Sequence, residues 1–333
     1  MKILYSHNPE ERIDGIKEEL APHEVIFHPH SLQEGEWNGE GIEILSVFVS
    51  SKVGETELAK LPQLKLVTTR STGFDHIDVE AVKKRGVAVA TVPDYGSHTV
   101  AEFAFSLLLY LARNLEEANR RVVVDGSFDP QGLTGFELFG KTLGVLGTGK
   151  IGRNLIKIAQ GFGMKVVAFD AYPDYDFARD KNFAYLELEA LLASSDIVSL
   201  HLPENTETHH ILNQERIAKM KKGAVLINTA RGTLLDTEAL VWGLEQGIIK
   251  AAGLDVLAEE GFVADEMRLL KEKHPEAESL KTLLLNHYLI DHPRVLITPH
   301  TAFNTEEALE RITTTTIQNI LNFARGEPTN LVP

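Results

Sequence analysis

The chain contains no cysteine, which excludes disulfides, thiol catalysis and cysteine-ligated metal sites. Basic residues are few: 33 lysines and arginines stand against 48 acidic residues, a formal charge of −15. That balance argues against nucleic acid or an anionic membrane surface as the main partner. Long apolar runs are missing as well. The longest, Phe103 to Ala112, is bounded by Glu102 and Arg113 and is far short of a bilayer span. It reads as a buried or subunit-interface helix. Internal repeats and low-complexity linkers are absent, and Met1 to Ser6 opens as a strand rather than as a signal peptide. A cytoplasmic protein is expected. What remains, 333 residues with 43% hydrophobic and 24% charged content, allows two domains, each with its own core.

Short β-rich runs alternate with helical stretches from the start. Lys2–Tyr5, Glu24–Phe27, Ile44–Ser50, Leu64–Thr69 and Val87–Val92 read as strands, with helices such as Glu10–Leu20 and Asp78–Arg85 between most of them. This pattern predicts a parallel α/β unit. A single long helix is expected from about Thr99 to Val122. Ile197–Leu200, Ala224–Asn228, Ala251–Asp255 and Val295–Thr298 continue the alternation, and a last helix spans roughly Thr305 to Arg325. The last helix follows the second run of strands and is expected to pack back on the first unit. The expected fold is therefore α/β, with two Rossmann-like, doubly wound parallel sheets. One domain, residues 101–299, is inserted into a flavodoxin-like domain made of residues 1–100 and 300–333. The charged stretch Glu259 to His292 is long for a loop and reads as a surface excursion or a lid.

The most specific motif lies at the start of the inserted domain. Leu143-Gly144-Val145-Leu146 reads as a buried strand that runs into Gly147-Thr148-Gly149-Lys150-Ile151-Gly152. An amphipathic helix follows through Phe162, and a second strand, Lys165–Phe169, ends on Asp170. Each part answers a need of dinucleotide binding. Gly147 permits the tight turn, Gly149 lets the backbone approach a pyrophosphate, and Gly152 lets the helix pack on the sheet. Free N–H groups at the helix start receive the anion. Asp170 is placed to accept the ribose hydroxyls of an adenosine. A 2′-phosphate there would set like charges close together, at a cost of about 1–4 kcal/mol. Ala171-Tyr172-Pro173 supplies no arginine to offset it, so NAD is expected over NADP.

Three ionisable residues follow predicted strands, where parallel sheets present their ligand sites. They are Arg231 in Asn228-Thr-Ala-Arg-Gly, Glu260 after Gly253-Leu-Asp-Val, and His300 in Thr298-Pro-His-Thr-Ala-Phe. Together with Gly147–Gly152 and Asp170, these segments make the chain resemble the D-isomer-specific 2-hydroxyacid dehydrogenases over essentially its whole length. Within the family, the Thr298–Phe303 ending and the long segment between Glu260 and Val295 resemble the members that interconvert pyruvate and D-lactate.

The resemblance implies an NAD-dependent oxidoreductase that needs no metal. Arg231 would grip the substrate carboxylate and polarise the neighbouring carbonyl. His300 would be the acid–base group, with Glu260 holding its imidazole and favouring the protonated form. Thr72 and Gly73 would offer backbone N–H groups to the carboxylate, Tyr95 would contact the substrate, and Phe303 would wall its methyl group. Lys150 and Ile151 would line the pyrophosphate, while Leu202, Pro203 and Thr208 border the cofactor. Thr229, Ala230, Arg231 and His300 would also touch it, and Asp255 would face the nicotinamide amide. His76 and His98 stand where the family commonly has asparagine. His201, His209 and His210 read as structural or surface residues. The implied partners are a small 2-oxo or 2-hydroxy acid and a second copy of the chain, paired through the NAD-binding domains. A D-isomer dehydrogenase for a bulkier or more polar acid, such as phenylpyruvate or hydroxypyruvate, is the alternative. NADH-sensing corepressors, also relatives of this family, carry disordered tails, whereas this chain stops at Leu331-Val-Pro333, soon after its predicted last helix.

Overall fold

A computed structural model of the protein describes all residues except 10, 12 and 262–276. The chain forms two compact units, Met1–Tyr95 with Asn304–Pro333, and Gly96–Phe303. Of the stretch Glu259–His292, read as an excursion or lid, residues 262–276 lie outside the described residues, and Ala277–Ile290 is a helix.

The first unit is built on strands β1 (Lys2–Ser6), β2 (Glu24–His28), β3 (Ile44–Val47), β4 (Leu66–Thr69) and β5 (Ala88–Ala90). All pair in parallel, in the order β2-β1-β3-β4-β5, which is the flavodoxin-like doubly wound arrangement. β3 and β4 are buried along their whole length, as befits central strands covered on both faces. Ile3, Tyr5, Ile44 and Leu66 pack on one face with Ile317 and Ile320 of the last helix, Glu306–Ala324. That helix opens on Thr305, whose hydroxyl accepts from the Ala308 N–H, a standard N-cap. A second core gathers Leu4, Leu45, Val67 and Val82.

The helix expected over Glu10–Leu20 shrinks to Ile16–Glu19; Glu10 and Arg12 lie outside the described residues. Gly15, left-handed at φ +80, delays the helix start, and Glu11 is drawn away to an ion pair. Its partner is Arg70, which follows β4 directly and is 1% exposed. Arg70 Nε and Nη2 each lie 3.1 Å from a Glu11 carboxylate oxygen. Nη1 donates to Ser46 Oγ at 3.0 Å and Nη2 also to the Ser6 carbonyl at 2.7 Å. The guanidinium thus ties the ends of β1 and β3 to the end of β4, two residues before Thr72-Gly73.

The second unit holds β6 (Thr142–Leu146), β7 (Lys165–Phe169), β8 (Ala184–Tyr185), β9 (Ile197–Leu200), β10 (Ala224–Asn228), β11 (Ile249–Leu254) and β12 (Val295–Ile297). Their order is β12-β11-β10-β9-β6-β7-β8, all parallel. Counted from β6 this is the dinucleotide-binding order 3-2-1-4-5-6 with one further strand. The order reverses between β6 and β9, so a crevice opens at their C-terminal ends. The long helix expected over Thr99–Val122 is two helices, Ser97–Ala112 and Leu115–Val123. The break has a local cause. Asn114 is left-handed at φ +49, and its side-chain amide donates to the Leu133 and Thr134 carbonyls. The returning chain then caps the first helix by a bond from the Phe136 N–H to the Ala112 carbonyl. Ser97–Ala112 is apolar because it packs on β10, β11 and the helix Lys150–Gly161. Among the described residues no helix is long and apolar enough to cross a membrane.

Replacing Glu11 by Gln would leave the Arg70 charge buried against neutral acceptors. Because Glu11 is itself partly wet, the expected loss is about 2 kcal/mol in urea unfolding. A change below about 0.5 kcal/mol would show that the pair does not hold these strand ends together.

Candidate active site

The turn after β6 is shaped by contacts that allow no side chain. Gly147 has φ +96, and a Cβ there would lie 2.6 Å from the His201 carbonyl oxygen. A Cβ on Gly152 would lie 2.0 Å from the Gly147 carbonyl oxygen, so the helix is seated directly on the turn. Beside Gly149 a Cβ would meet nothing within 4 Å. The turn is closed against the sheet and open towards the exposed residues Gly149 and Lys150. Gly149 is the extended N-cap of Lys150–Gly161, whose first N–H groups have no helical acceptor. Ile151 is half-buried in the first turn.

Asp170, just past β7, is held in one orientation. Its Oδ2 accepts from the Thr148 N–H at 2.6 Å and the Thr148 hydroxyl at 2.8 Å, and its Oδ1 from the Tyr172 N–H at 2.9 Å. The Tyr185 hydroxyl lies 2.8 Å from Thr148 Oγ1. Thr148 and Tyr185 were absent from the residues expected at the site. A hydroxyl between the first two glycines is the one sequence signal for this arrangement.

β10 ends in a turn stitched by its last residue. Asn228 is fully buried; its amide nitrogen donates to the Arg231 carbonyl at 2.8 Å and its Oδ1 accepts from the Ala230 N–H at 3.0 Å. Arg231 is thereby presented just past the C-terminal end of β10, half-buried, with Nη1 donating to the Ala230 carbonyl at 2.7 Å. Thr229 is buried, and its hydroxyl has no partner among the described residues.

β11 ends at Leu254 and is followed by Asp255, 1% exposed. Its Oδ1 accepts from the Thr298 hydroxyl at 2.6 Å and the Thr301 N–H at 2.9 Å; Oδ2 accepts from the Ala302 N–H at 2.8 Å. Burial pushes the Asp255 carboxyl above its usual range, against the pull of these hydrogen bonds and of His300. His300 itself is left-handed, φ +49, a conformation uncommon outside glycine. It is fixed there by its N–H, 2.8 Å from the Asp255 carbonyl. The imidazole Nδ1 meets Glu260 Oε1 at 2.8 Å, with 38% of the His300 side chain and 47% of the Glu260 side chain exposed. Asp255, Glu260 and His300 therefore form one connected group, and Phe303 stands half-buried just beyond it.

Other histidines differ in setting. His201 follows β9, its Nε2 lies 2.8 Å from Ser199 Oγ, and burial pushes it down to about 4. An imidazole of that kind stays neutral at working pH. His209 and His210 stack with centroids 4.1 Å apart, and His209 Nδ1 lies 2.9 Å from Glu204. They flank a small turn closed by Thr208, whose hydroxyl donates to the Pro203 carbonyl at 2.6 Å. Leu202 beside it is buried, and His98 lies exposed in the first turn of Ser97–Ala112.

In the first unit, Thr72 is exposed and its hydroxyl donates to the Val92 carbonyl at 2.8 Å. The Gly73 carbonyl accepts from Ser71 Oγ at 2.6 Å. Ser71 Oγ is in turn 2.7 Å from Thr69 Oγ1, which lies 3.0 Å from His76 Nε2. The Tyr95 carbonyl accepts from Arg311 Nε at 2.8 Å.

Comparison with known proteins identifies the family and the fold. The family described as "D-isomer specific 2-hydroxyacid dehydrogenase, NAD binding domain" matches residues 105–302. The chain is 36% identical over 296 residues to a D-lactate dehydrogenase of Escherichia coli K12, covering 88% of this chain and 87% of that protein. The chain belongs to the D-isomer-specific 2-hydroxyacid dehydrogenases. It is also 36% identical over 326 residues to a glyoxylate reductase of Thermofilum pendens, covering 96% of this chain and 90% of the relative. A solved structure of D-lactate dehydrogenase from Aquifex aeolicus, complexed with NAD and lactic acid, matches with a TM-score of 0.87 and 36% identity. That match covers 98% of this chain and 96% of the other.

As a member of this family the protein is an NAD-dependent dehydrogenase acting on D-2-hydroxy acids. Its residues fit the cofactor. The glycine turn leaves room only on its open side, an acid is pre-oriented at the tip of β7, and the buried Thr229 hydroxyl, without a partner among the described residues, can meet a ligand. With Asp170 fixed by Thr148, NAD is expected to exceed NADP at least tenfold in kcat/KM, about 1.4 kcal/mol of discrimination. Equal efficiency with the two cofactors would remove Asp170 from that role.

Proposed function

We propose that the protein interconverts pyruvate and D-lactate. The observation that carries this reading is the 2.8 Å contact of His300 with Glu260 on the unit that bears the glycine turn. With Nδ1 engaged by Glu260, His300 Nε2 is the atom that gives a proton to the ketone oxygen in reduction and takes it back in oxidation. General acid–base catalysis of this kind contributes roughly 10²–10⁴-fold. The Glu260 carboxylate selects the tautomer and stabilises the charged imidazole. Arg231 grips the substrate carboxylate with its planar fork. When bound, NADH supplies the hydride.

The remaining residues take binding roles in this reading. Gly147, Gly149, Lys150, Ile151 and Gly152 receive the pyrophosphate, and Asp170 the ribose. Leu202, Pro203, Thr208, Thr229 and Ala230 border the cofactor. Asp255, with its carboxylate committed to residues 298–302, would meet the nicotinamide amide through its remaining lone pairs. Thr72, Gly73 and Tyr95 contact the substrate, and Phe303 walls its methyl group.

Similarity to D-lactate dehydrogenases of Escherichia coli and Aquifex aeolicus supports the substrate assignment. Similarity to glyoxylate reductases gives a second reading, in which the smaller 2-oxo acid is preferred. NADH oxidation followed with pyruvate, glyoxylate, hydroxypyruvate and phenylpyruvate, with chiral analysis of the product, separates them. Pyruvate is expected to give the highest kcat/KM and D-lactate alone. A tenfold preference for any of the other acids would overturn the assignment.

We further propose a homodimer through the NAD-binding unit. Val123, Val124, Phe128 and Phe139 of that unit are 71%, 71%, 91% and 77% exposed. Phe139 also borders a cavity of about 670 Å³ with Leu109, Phe136 and Phe162. Large apolar side chains exposed to this degree would gain from being covered by a second copy. Sedimentation equilibrium is expected to return twice the 36.9 kDa chain mass, and Phe128→Asp with Val124→Asp to shift it towards the monomer. A monomeric parent protein would refute the pairing.

A further inference from the structure

Asn286 lies in the helix Ala277–Ile290, between 283 and 289, where buried leucines anchor the helix to the unit's core. It is 0% exposed. Its amide nitrogen donates to the Ala258 carbonyl at 2.7 Å, while its Oδ1 has no partner among the described residues. A carbonyl can only accept, so the nitrogen must face Ala258 whichever way the amide is first drawn. Among the described residues the Ala258 carbonyl is thus the partner that Asn286 serves in this core, and a buried donor is kept where it meets an acceptor.

The task is visible in what Ala258 belongs to. The Leu257–Ala258 peptide is pressed against Gly232, where a Cβ would come within 2.0 Å of the Leu257 carbonyl carbon and 2.3 Å of the Ala258 nitrogen. The chain then passes through Glu259, left-handed at φ +56, to Glu260. Glu260 Oε2 lies 3.4 Å from the Leu257 N–H, and Oε1 takes the His300 contact. A half-exposed carboxylate two residues past Ala258 keeps its place only as well as that peptide does. The helix is itself held against the helix Thr237–Glu245 and β12, with Lys281 paired to Glu238.

We infer that Asn286 is a positioning residue for Glu260, acting through the Ala258 carbonyl, and that the helix Ala277–Ile290 is the brace that carries it. The inference rests on the reading of Glu260 and His300 as the acid–base pair. It gives this part of the segment between Glu260 and Val295 a role in the reaction.

The test uses the full chain. Asn286→Leu removes the donor at similar size, with Asn286→Ala as a second variant, and Glu260→Gln is measured alongside. The pH profile of kcat/KM is recorded with pyruvate or glyoxylate, whichever turns over faster, and NADH affinity by fluorescence. Asn286→Leu is expected to lose about tenfold in kcat/KM at neutral pH and to hold NADH within about twofold. The fall-off of reduction at high pH should move in the same direction as in Glu260→Gln, the variant in which the imidazole has lost its carboxylate partner. Combining Asn286→Leu with Glu260→Gln should shift the profile no further than Glu260→Gln alone. A parental profile in both Asn286 variants, with only a lower Tm, would overturn the inference, and so would failure of both to fold and bind NADH. An unchanged profile in Glu260→Gln would instead overturn the reading of the pair, and the inference with it.

Discussion

The carboxylate of Asp255 accepts hydrogen bonds from Thr298, Thr301 and Ala302, and the loop that carries His300 takes its form from them. A buried acid is expensive unless its lone pairs are engaged, and three hydrogen bonds to this one come from the backbone and hydroxyl of a single short loop. The result is a histidine held left-handed at φ +49, a strained conformation that persists only when its surroundings over-determine it. Glu260 then meets the imidazole from the next stretch of chain. His300 is therefore fixed from beneath by a residue that has little of its carboxylate left to offer elsewhere.

A second device recurs around the two sheets. Asn228, Asn286 and Asn319 are 0%, 0% and 1% exposed, and each uses its amide to pin irregular backbone. Asn228 stitches the turn before Arg231. Asn286 holds the Ala258 carbonyl. Asn319, in the last helix, donates to the Thr91 carbonyl after β5 and accepts from Thr329 and Asn330 near the chain end. Parallel sheets leave backbone groups at strand ends without ladder partners, and buried backbone groups must find partners. A carboxamide supplies a donor and an acceptor without a charge, which suits places too dry for an ion. Where the first unit does bury an ion, at Arg70, the guanidinium is matched by a bidentate carboxylate, a carbonyl and a hydroxyl.

Much of this was legible in the residues. The strand–glycine–helix–strand–acid series was readable because each member is set by local sterics; Gly152 must lack a side chain when the Gly147 carbonyl is 2.0 Å from where a Cβ would be. The placement of Arg231, Glu260 and His300 after strands followed from alternation and from family likeness. The expected single helix over Thr99–Val122 was not found, because its break depends on residues 133–136 returning to the Ala112 carbonyl. Periodicity within the helix carries no trace of a segment that arrives more than twenty residues later. The helix over Glu10–Leu20 likewise gave way to the pull of Arg70 on Glu11, a partner 59 residues distant.

The sequence by itself determined the two α/β units, the dinucleotide turn and the family, since these rest on periodicity, on glycines and on short motifs whose chemistry is local. Tertiary structure alone decided how each functional group is oriented. Thr148 turning Asp170, Asp255 committing its carboxylate to 298–302, and Asn286 reaching Ala258 are contacts across 22, 43 to 47 and 28 residues. The physical reason is that a hydrogen bond between remote residues leaves no periodic mark on either partner. It exists only once the sheets have brought the strand ends together.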